Sequence, residues 1–325
     1  MNKVLVSGGG DILDYHVIKC LKKRGIHPRW LVLPGSDTRH IIKHLVVDPM
    51  GEITKPSDLR AALQGVDTVV HMAYEVDPRK TREDMHEVNV AGTQRLIDAA
   101  QAAGVTRVVA SSSALTIGVH RDPVPLDEDA EWAVHGIDLG YAESRREAEQ
   151  LALSRSRSGF DVVVVAPALT IGPEDFGPAP GGKIIKRVIE GRFVPTFDVG
   201  VGCVDARDFA DGVLLATERG RPGQRYVLCA HNHTLKDLVA DVAAVAGTPA
   251  RTWHLPRWLP RVLISALVFW SRIRRKDPPV PPAIAKLIGR YGWYDARRMR
   301  EDLGWRPRPL HQTLTDTVAW FRENP

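Results

Sequence analysis

Tyr141 and Arg145 stand four residues apart in a segment whose apolar residues recur at helical spacing, which puts both side chains on one helix face. A phenol with a pKa of about 10 is a poor base at neutral pH unless a neighbouring cation stabilises its phenolate. The pair therefore supplies the elements of proton transfer to or from an oxygen. A second candidate lies at Ser7-Gly8-Gly9-Gly10-Asp11-Ile12-Leu13-Asp14, directly after an apolar strand-like run. A glycine turn between strand and helix lets backbone approach a phosphate closely, and the helix N-terminus adds a positive dipole. Gly8 suits the tight turn. In the spacing GxxGxxG, however, Asp11 and Asp14 take the second and third glycine positions. Two like charges about 4 Å apart repel by roughly 1 kcal/mol in water, and several-fold more where partly desolvated. Asp11 also has a plainer role open to it, as N-cap of a helix beginning near Ile12. Equally, Ser111-Ser112-Ser113 reads as loop hydroxyls and Tyr141 as a buried helix-start tyrosine.

The elements that position these residues alternate. Val4–Val6, Trp30–Leu33, Leu45–Val47, Thr68–His71, Val108–Ala110 and Val162–Val165 read as buried strands. Helix-period segments near 12–24, 57–64, 82–103 and 141–157 lie between them, which predicts an α/β fold with a parallel sheet covered on both faces. After residue 166 the pattern is less regular, and the Pro- and Gly-rich run from Ile171 to Gly182 reads as a loop shaping a site.

Composition narrows the class. Over 325 residues, 44% are hydrophobic and 26% charged, enough for a sizeable core and unlike a disordered or disulfide-stapled chain. Cys20, Cys203 and Cys229 are too scattered for a disulfide frame, and no metal-ligand spacing is present. No signal-peptide pattern follows Met1-Asn2-Lys3, so a cytoplasmic setting is expected. The net charge of +5 is unevenly spread: residues 251–310 hold 14 Lys/Arg against 4 Asp/Glu and five of the eight Trp.

Further motifs complete the pattern: Asp67-Thr68-Val69-Val70-His71-Met72-Ala73, Val88-Asn89-Val90-Ala91-Gly92-Thr93, Ser111–Ser113 with Tyr141 28 residues after Ser113, and Leu303-Gly304-Trp305-Arg306-Pro307. In order and spacing the whole chain resembles the extended short-chain dehydrogenase/reductase family, the NAD-dependent epimerase/dehydratase group. Ile171-Gly172-Pro173-Glu174-Asp175 and Glu218-Arg219-Gly220-Arg221-Pro222-Gly223 are most similar to sugar-epimerase-like members associated with hopanoid synthesis. The resemblance implies a Rossmann-type doubly wound parallel sheet with a smaller C-terminal substrate-binding lobe. Residues 1–166 would form the core, and 167–325 would complete it and build the lobe. It also implies NAD(P)(H), with cofactor contacts at Gly8, Gly10, Asp11, Ile12, Asp48, Ala73, Asn89 and Pro167. Ser113 would hydrogen-bond the substrate oxygen and Tyr141 would exchange a proton with it. Arg145 stands where the family carries a Lys that binds the nicotinamide ribose, and its planar fork differs from an ammonium point contact. Asp11, Asp14 and Arg145 all depart from the family at cofactor positions, and Ala166 stands where an Arg is common, whereas Ser113 and Tyr141 are retained. Leu33-Pro34-Gly35-Ser36 offers no acid for a ribose, while Arg39 would suit a 2′-phosphate.

The basic, Trp-rich stretch from Trp258 to Lys276 reads first as an amphipathic helix of the lobe with solvated arginines. An apolar lid or peripheral contact with an anionic membrane remains open, whereas no nucleic-acid module is recognisable. The expected partner is a small, largely apolar substrate, with a homodimer possible in the family. Three functions stay open: an NAD(P)(H)-linked oxidoreductase or epimerase on a secondary alcohol or ketone, a cofactor-independent isomerase, cyclase or lyase using Ser113 and Tyr141, and an inactive binding homologue.

Overall fold

The computed structural model describes residues 3–75, 77, 80–132, 140–256, 258–274 and 282–325. The first half runs β1 (Val4–Gly8), α1 (Ile12–Lys23), β2 (Arg29–Val32), α2 (Arg39–Leu45), α3 (Pro56–Leu63), β3 (Thr68–His71), α4 (Arg82–His86), a π-helical turn (Glu87–Ala91), α5 (Gly92–Ala102), β4 (Arg107–Ser111), a 3-10 turn (Ala114–Thr116), α6 (Gly140–Ser154) and β5 (Asp161–Pro167). The second half adds β6 (Leu169–Ile171), α7 (Pro180–Ile189), β7 (Val199–Asp205), α8 (Ala206–Arg219), β8 (Arg225–Leu228), β9 (His231–Thr234), α9 (Leu235–Ala246), α10 (Trp258–Ile273), α11 (Pro282–Leu287), β10 (Arg290–Gly292), α12 (Arg297–Leu303) and α13 (Leu310–Glu323). No described helix is long and apolar enough to cross a membrane.

Six strands pair in parallel in the order β2-β1-β3-β4-β5-β8, so the chain reverses direction across the sheet at β1. Such a switch opens a crevice beyond the carboxyl ends of the strands. Alternate residues feed two cores: Val4, Val6, Val109 and Val163 face one side with α1 and α8, while Leu5, Val108 and Val162 face the other with α3 and α5. Burial on both faces explains why these strands are continuous apolar runs. A second sheet, β10-β7-β6 with β9 antiparallel to β7, packs with α7, α9 and α13 around a third core.

Two expectations are corrected. Leu45–Val47 is not a strand: Leu45 ends α2, and Val46 adopts a left-handed conformation with φ 52°. The chain meets the edge of β2 later, where Met50 N–H donates to Trp30 O (2.7 Å) and Ile53 N–H to Val32 O (2.9 Å). A three-residue apolar run does not distinguish a strand from the buried end of a helix, and packing decided it. The region after residue 166 is regular rather than irregular, because its strands are short and split between two sheets. The Pro/Gly-rich run does hold a loop, between the end of β6 at Ile171 and the start of α7 at Pro180.

Buried charge ties the two halves together. Arg225 Nη1 on β8 donates to Glu149 Oε1 on α6 at 2.7 Å, and Glu149 Oε2 accepts from Ser112 Oγ (2.5 Å) and Thr116 Oγ1 (2.7 Å). The loop after β4 is thereby fastened to α6 and to the last strand of the main sheet. Replacing Arg225 by Met leaves Glu149 buried without its cation and is expected to lower unfolding free energy by about 3–5 kcal/mol in urea titrations. The Glu149→Met/Arg225→Met double variant should recover part of that loss. Equal losses in the single and double variants would remove the ion pair from the account.

Candidate active site

The β1–α1 turn is held by its own carboxylates. Gly10 sits at φ 82°, and a Cβ there would meet Asp37 O at 2.6 Å, so glycine is required. Asp11 caps α1: its Oδ1 accepts from Leu13 N–H (2.9 Å) and Asp14 N–H (3.2 Å). Asp14 is buried, and its Oδ2 accepts from Gly10 N–H at 2.5 Å while Oδ1 has no hydrogen-bond partner among the described residues. Gly8 makes the room, since a Cβ there would lie 2.0 Å from Asp14 Oδ1. Burial, reinforced by the charge of Asp11, pushes the Asp14 carboxyl well above the usual range. Burial also raises Asp11, although its side chain meets the open cleft and water there works against the rise.

Across the cleft, α6 presents Tyr141 and Arg145. The guanidinium Cζ lies 5.9 Å from the Tyr141 ring centroid and only 3.4 Å from that of Tyr74. Arg145 Nη2 donates to the carbonyls of Ser111 (3.2 Å) and Ser112 (2.5 Å), whereas Nε and Nη1 have no partner among the described residues. Ser113 is buried and its Oγ accepts from Leu115 N–H at 3.3 Å, which starts the 3-10 turn. That bond uses a lone pair and leaves the hydroxyl proton free to donate.

Behind the cleft runs a buried hydrogen-bonded chain. Thr93 Oγ1 donates to Asn89 O (2.6 Å), so the 3.0 Å contact from His71 Nε2 to Thr93 Oγ1 has the imidazole as donor. His71 Nδ1 then accepts from Ser7 Oγ at 2.7 Å. Tyr74 also bonds Thr93, and burial, partly offset by Arg145, pushes its hydroxyl up to about 12. Asn89 accepts from Glu75 N–H (2.7 Å) and donates to Glu75 O (3.1 Å) and Ser144 Oγ (3.0 Å). The loop after β3 is thus pinned to α6.

Two adjoining cavities meet at these groups. The more polar, about 360 Å³, is lined by Asp11, Tyr74, Ser111–Ser113, Tyr141 and Arg145, and by Leu33–Ser36 beyond β2. The other, about 420 Å³, is mainly apolar, with Ile12, Leu115, Val119, Leu169, Val201 and Leu287 among its walls. Asp11, Leu13, Ser113, Tyr141, Pro167, Ala168 and Thr170 border both.

Most of the sequence-derived residues converge here. Gly8, Gly10, Asp11 and Ile12 form the turn, and Ser113, Tyr141, Arg145 and Pro167 line the cleft. Ala73 is buried just past β3, and Asn89 acts from behind as a brace. Asp48 does not join them: it is exposed, and Glu52 bridges Val32 at the sheet edge. Asp48 was assigned by the family resemblance, and the chain that meets the sheet edge is Gly51-Glu52-Ile53 before the Pro56 helix start. Arg39 does not stand free for a 2′-phosphate, because Asp37 holds its Nε (2.8 Å) and Nη2 (2.6 Å). Tyr74 was missed; its only sequence signal is an aromatic immediately after the β3 motif. Among the described side chains, none from α10 borders either cavity, while Leu287, Arg290, Gly292 and Tyr294 from the following segment do line the apolar one.

The profile of the NAD dependent epimerase/dehydratase family matches residues 4–229. The chain belongs to that family. A putative dihydroflavonol 4-reductase from Synechocystis sp. is 31% identical over 324 residues, covering 98% of this chain and 94% of the relative. Sterol demethylase protein B from Methylococcus capsulatus is 29% identical over 331 residues, covering 98% of each. The crystal structure of gox2253 superposes with a TM-score of 0.86 at 29% identity, covering 100% of this chain and 99% of that one.

The family is NAD-dependent. The cleft of this member fits a dinucleotide at both ends: the loop after β2 opens one, and the unanswered Arg145 donors stand beside the other. At its middle, the turn's N–H groups from Gly10, Leu13 and Asp14 are already bonded to Asp14 and Asp11.

His71 generates a stability prediction. Burial, with the charge of Arg145, lowers its imidazole from 6.5 to about 3. Between those values the unfolded chain binds the extra proton, so this group's contribution makes stability fall as pH falls from 6.5 towards 3. His71→Gln should show a smaller loss than the wild type between neutral and acid urea titrations. Equal acid losses would show that another group dominates.

Proposed function

We propose that this chain is an NAD(P)-linked oxidoreductase or epimerase that works at a secondary alcohol or ketone carried by a largely apolar molecule. The observation that carries the reading is the position of Ser113 and Tyr141 on the seam between the polar cleft and the apolar cavity. Relatives named for a dihydroflavonol and for sterols support an apolar, multi-ring substrate class.

When bound, the nicotinamide group supplies or accepts the hydride. The protein does the rest. Ser113 Oγ, with its lone pair engaged by Leu115 N–H, donates its proton towards the substrate oxygen. Tyr141 passes a proton to that oxygen, or takes one from it, in the same step. Arg145, one helical turn on, stabilises negative charge developing on the Tyr141 oxygen and is itself held by two carbonyls and the Tyr74 ring. The apolar walls keep water from the reacting carbon. The carboxylates of Asp11 and Asp14 favour a second reading, in which Ser113 and Tyr141 isomerise or eliminate by proton transfer alone.

Tyr141→Phe should lower kcat by on the order of 10²–10⁴-fold with little change in substrate affinity. Unchanged turnover would remove Tyr141 from the mechanism. Stoichiometric change in nicotinamide absorbance during turnover supports an oxidoreductase, turnover that needs dinucleotide without net absorbance change supports an epimerase, and product formed by dinucleotide-free protein supports the second reading.

We also propose that α10 rests on an anionic lipid surface. Among its described side chains only Pro260 and Ile264 are buried, while Trp258, Val262, Leu263, Leu267, Phe269 and Trp270 are exposed. Arg274 lies over the Trp270 ring at 4.9 Å, within a stretch that has ten more basic than acidic residues between 251 and 310. Aromatic and basic groups together match the interface of an acidic bilayer. Residues 275 and 276, the end of the stretch singled out in the sequence, lie outside the described residues. The protein should co-sediment with phosphatidylserine vesicles, and Phe269→Ser/Trp270→Ser should lose most of that binding. Absence of the wild type from the vesicle pellet would overturn the assignment.

A further inference from the structure

We propose that Asp11 and Asp14 are resident occupants of the diphosphate cradle, so that a nicotinamide dinucleotide binds only as these carboxylates release the turn's N–H groups. The inference rests on the reading that the cleft takes NAD(P). Its geometry is direct. The N–H groups of Gly10, Leu13 and Asp14 lie at the start of α1, where the helix dipole favours an anion; Asp11 borders the cleft, and Asp14 is buried beneath the turn against Gly8. Each is bonded to a carboxylate of this chain, at 2.5, 2.9 and 3.2 Å. Gly8 has no side chain to displace Asp14, and Gly10 has none to push the turn open. Asp14 Oδ1 is buried with no close hydrogen-bond partner among the described residues, and the backbone of Gly9 and Asp11 lies near enough to favour its charged form. An arriving diphosphate therefore competes with the turn's own acceptors and meets their charge.

The consequence is proton-linked binding. Around the pair stand Arg145 from α6, whose charge favours ionised Asp11, and Asp175 from the loop after β6, which burial, with a smaller contribution from Asp11, raises to about 6. Glu174 on the same loop is engaged by Lys19 of α1, and Asp37 beyond β2 by Arg39. His16 on α1 is buried, bonded to Pro173 O and held away from its charged form by that burial. Each nearby charge other than Arg145 thus has a partner or is negative, so neutralising Asp11 or Asp14 takes a proton. Burial and the charge of Asp11 displace the Asp14 carboxyl well upward, so a falling pH neutralises it before ordinary carboxylates, whereas Asp11 meets water in the cleft and rises less. Dinucleotide affinity is then higher in acid and lower in alkali.

The test is direct titration of NADH and NADPH, followed by nicotinamide fluorescence, on the full chain at about pH 5.5 and about pH 8. Asp11→Asn keeps an N-cap oxygen and removes the charge, so it retains the fold if Asp14 variants do not. Asp14→Asn and Asp14→Gly complete the set. The wild type should bind more tightly at the lower pH. At the higher pH each Asn variant should bind on the order of tenfold more tightly than wild type, with a flatter pH dependence. Wild-type binding that is equal at both pH values and unimproved in the variants overturns the proposal and leaves the cofactor reading intact. Failure of every folded protein, including Asp14→Gly, to bind either dinucleotide overturns the cofactor reading and the proposal with it.

Discussion

The amide groups at the start of α1 have no helical partners, and how they are answered governs the rest of the cleft. In this chain the answer comes from within. Asp11 takes two of them as a helix cap, and Asp14 folds back onto Gly10. Each bond is an ordinary local device, yet together they fill a turn whose position in the sheet otherwise serves an incoming anion. Gly8 and Gly10 remain because the carboxyl of Asp14 and the carbonyl of Asp37 leave no space for a Cβ. The same small residues that admit a phosphate elsewhere here admit a side chain.

Charge on the other wall responds to that arrangement. Arg145 faces the acidic turn across the cleft, favours the ionised form of Asp11, and is immobilised by two carbonyls beneath it and the Tyr74 ring against it. Tyr74 is held in turn by Thr93, which belongs to the chain from Ser7 through His71 to Asn89. Burial keeps His71 neutral, so this chain carries no charge of its own and leaves the guanidinium as the dominant cation at the site. The position of Tyr141 follows from α6, whose lower turns are fixed by Glu149 and Arg225.

Much of this was legible in the order of residues. The parallel sheet announced itself through apolar runs that only two covered faces produce, and the strands at Val4, Trp30, Thr68, Val108 and Val162 stand where the pattern put them. Tyr141, Arg145 and Ser113 were visible because a helix face and a family spacing are local properties. The strand expected at Leu45–Val47, just before Asp48, was misread because three apolar residues also suit the end of a helix, and Asp48 lies exposed outside both cavities. The Trp-rich stretch was legible as a helix, but whether it covered the site depended on contacts remote in the chain, and its described side chains border neither cavity.

By itself, the sequence determined the fold class, the family, the anomalous acids of the glycine turn and the placing of Tyr141 and Arg145 on one helix face, since each depends on residue type and near spacing. Tertiary structure alone decided what the acids do there. Only folding brings Asp14 against Gly8 and aligns it with Gly10 N–H, places Tyr74 under Arg145, and sets an apolar cavity against a polar cleft with Ser113 and Tyr141 between them. Hydrogen bonds and burial depend on distances between elements far apart in the chain, and periodicity carries no information about those distances.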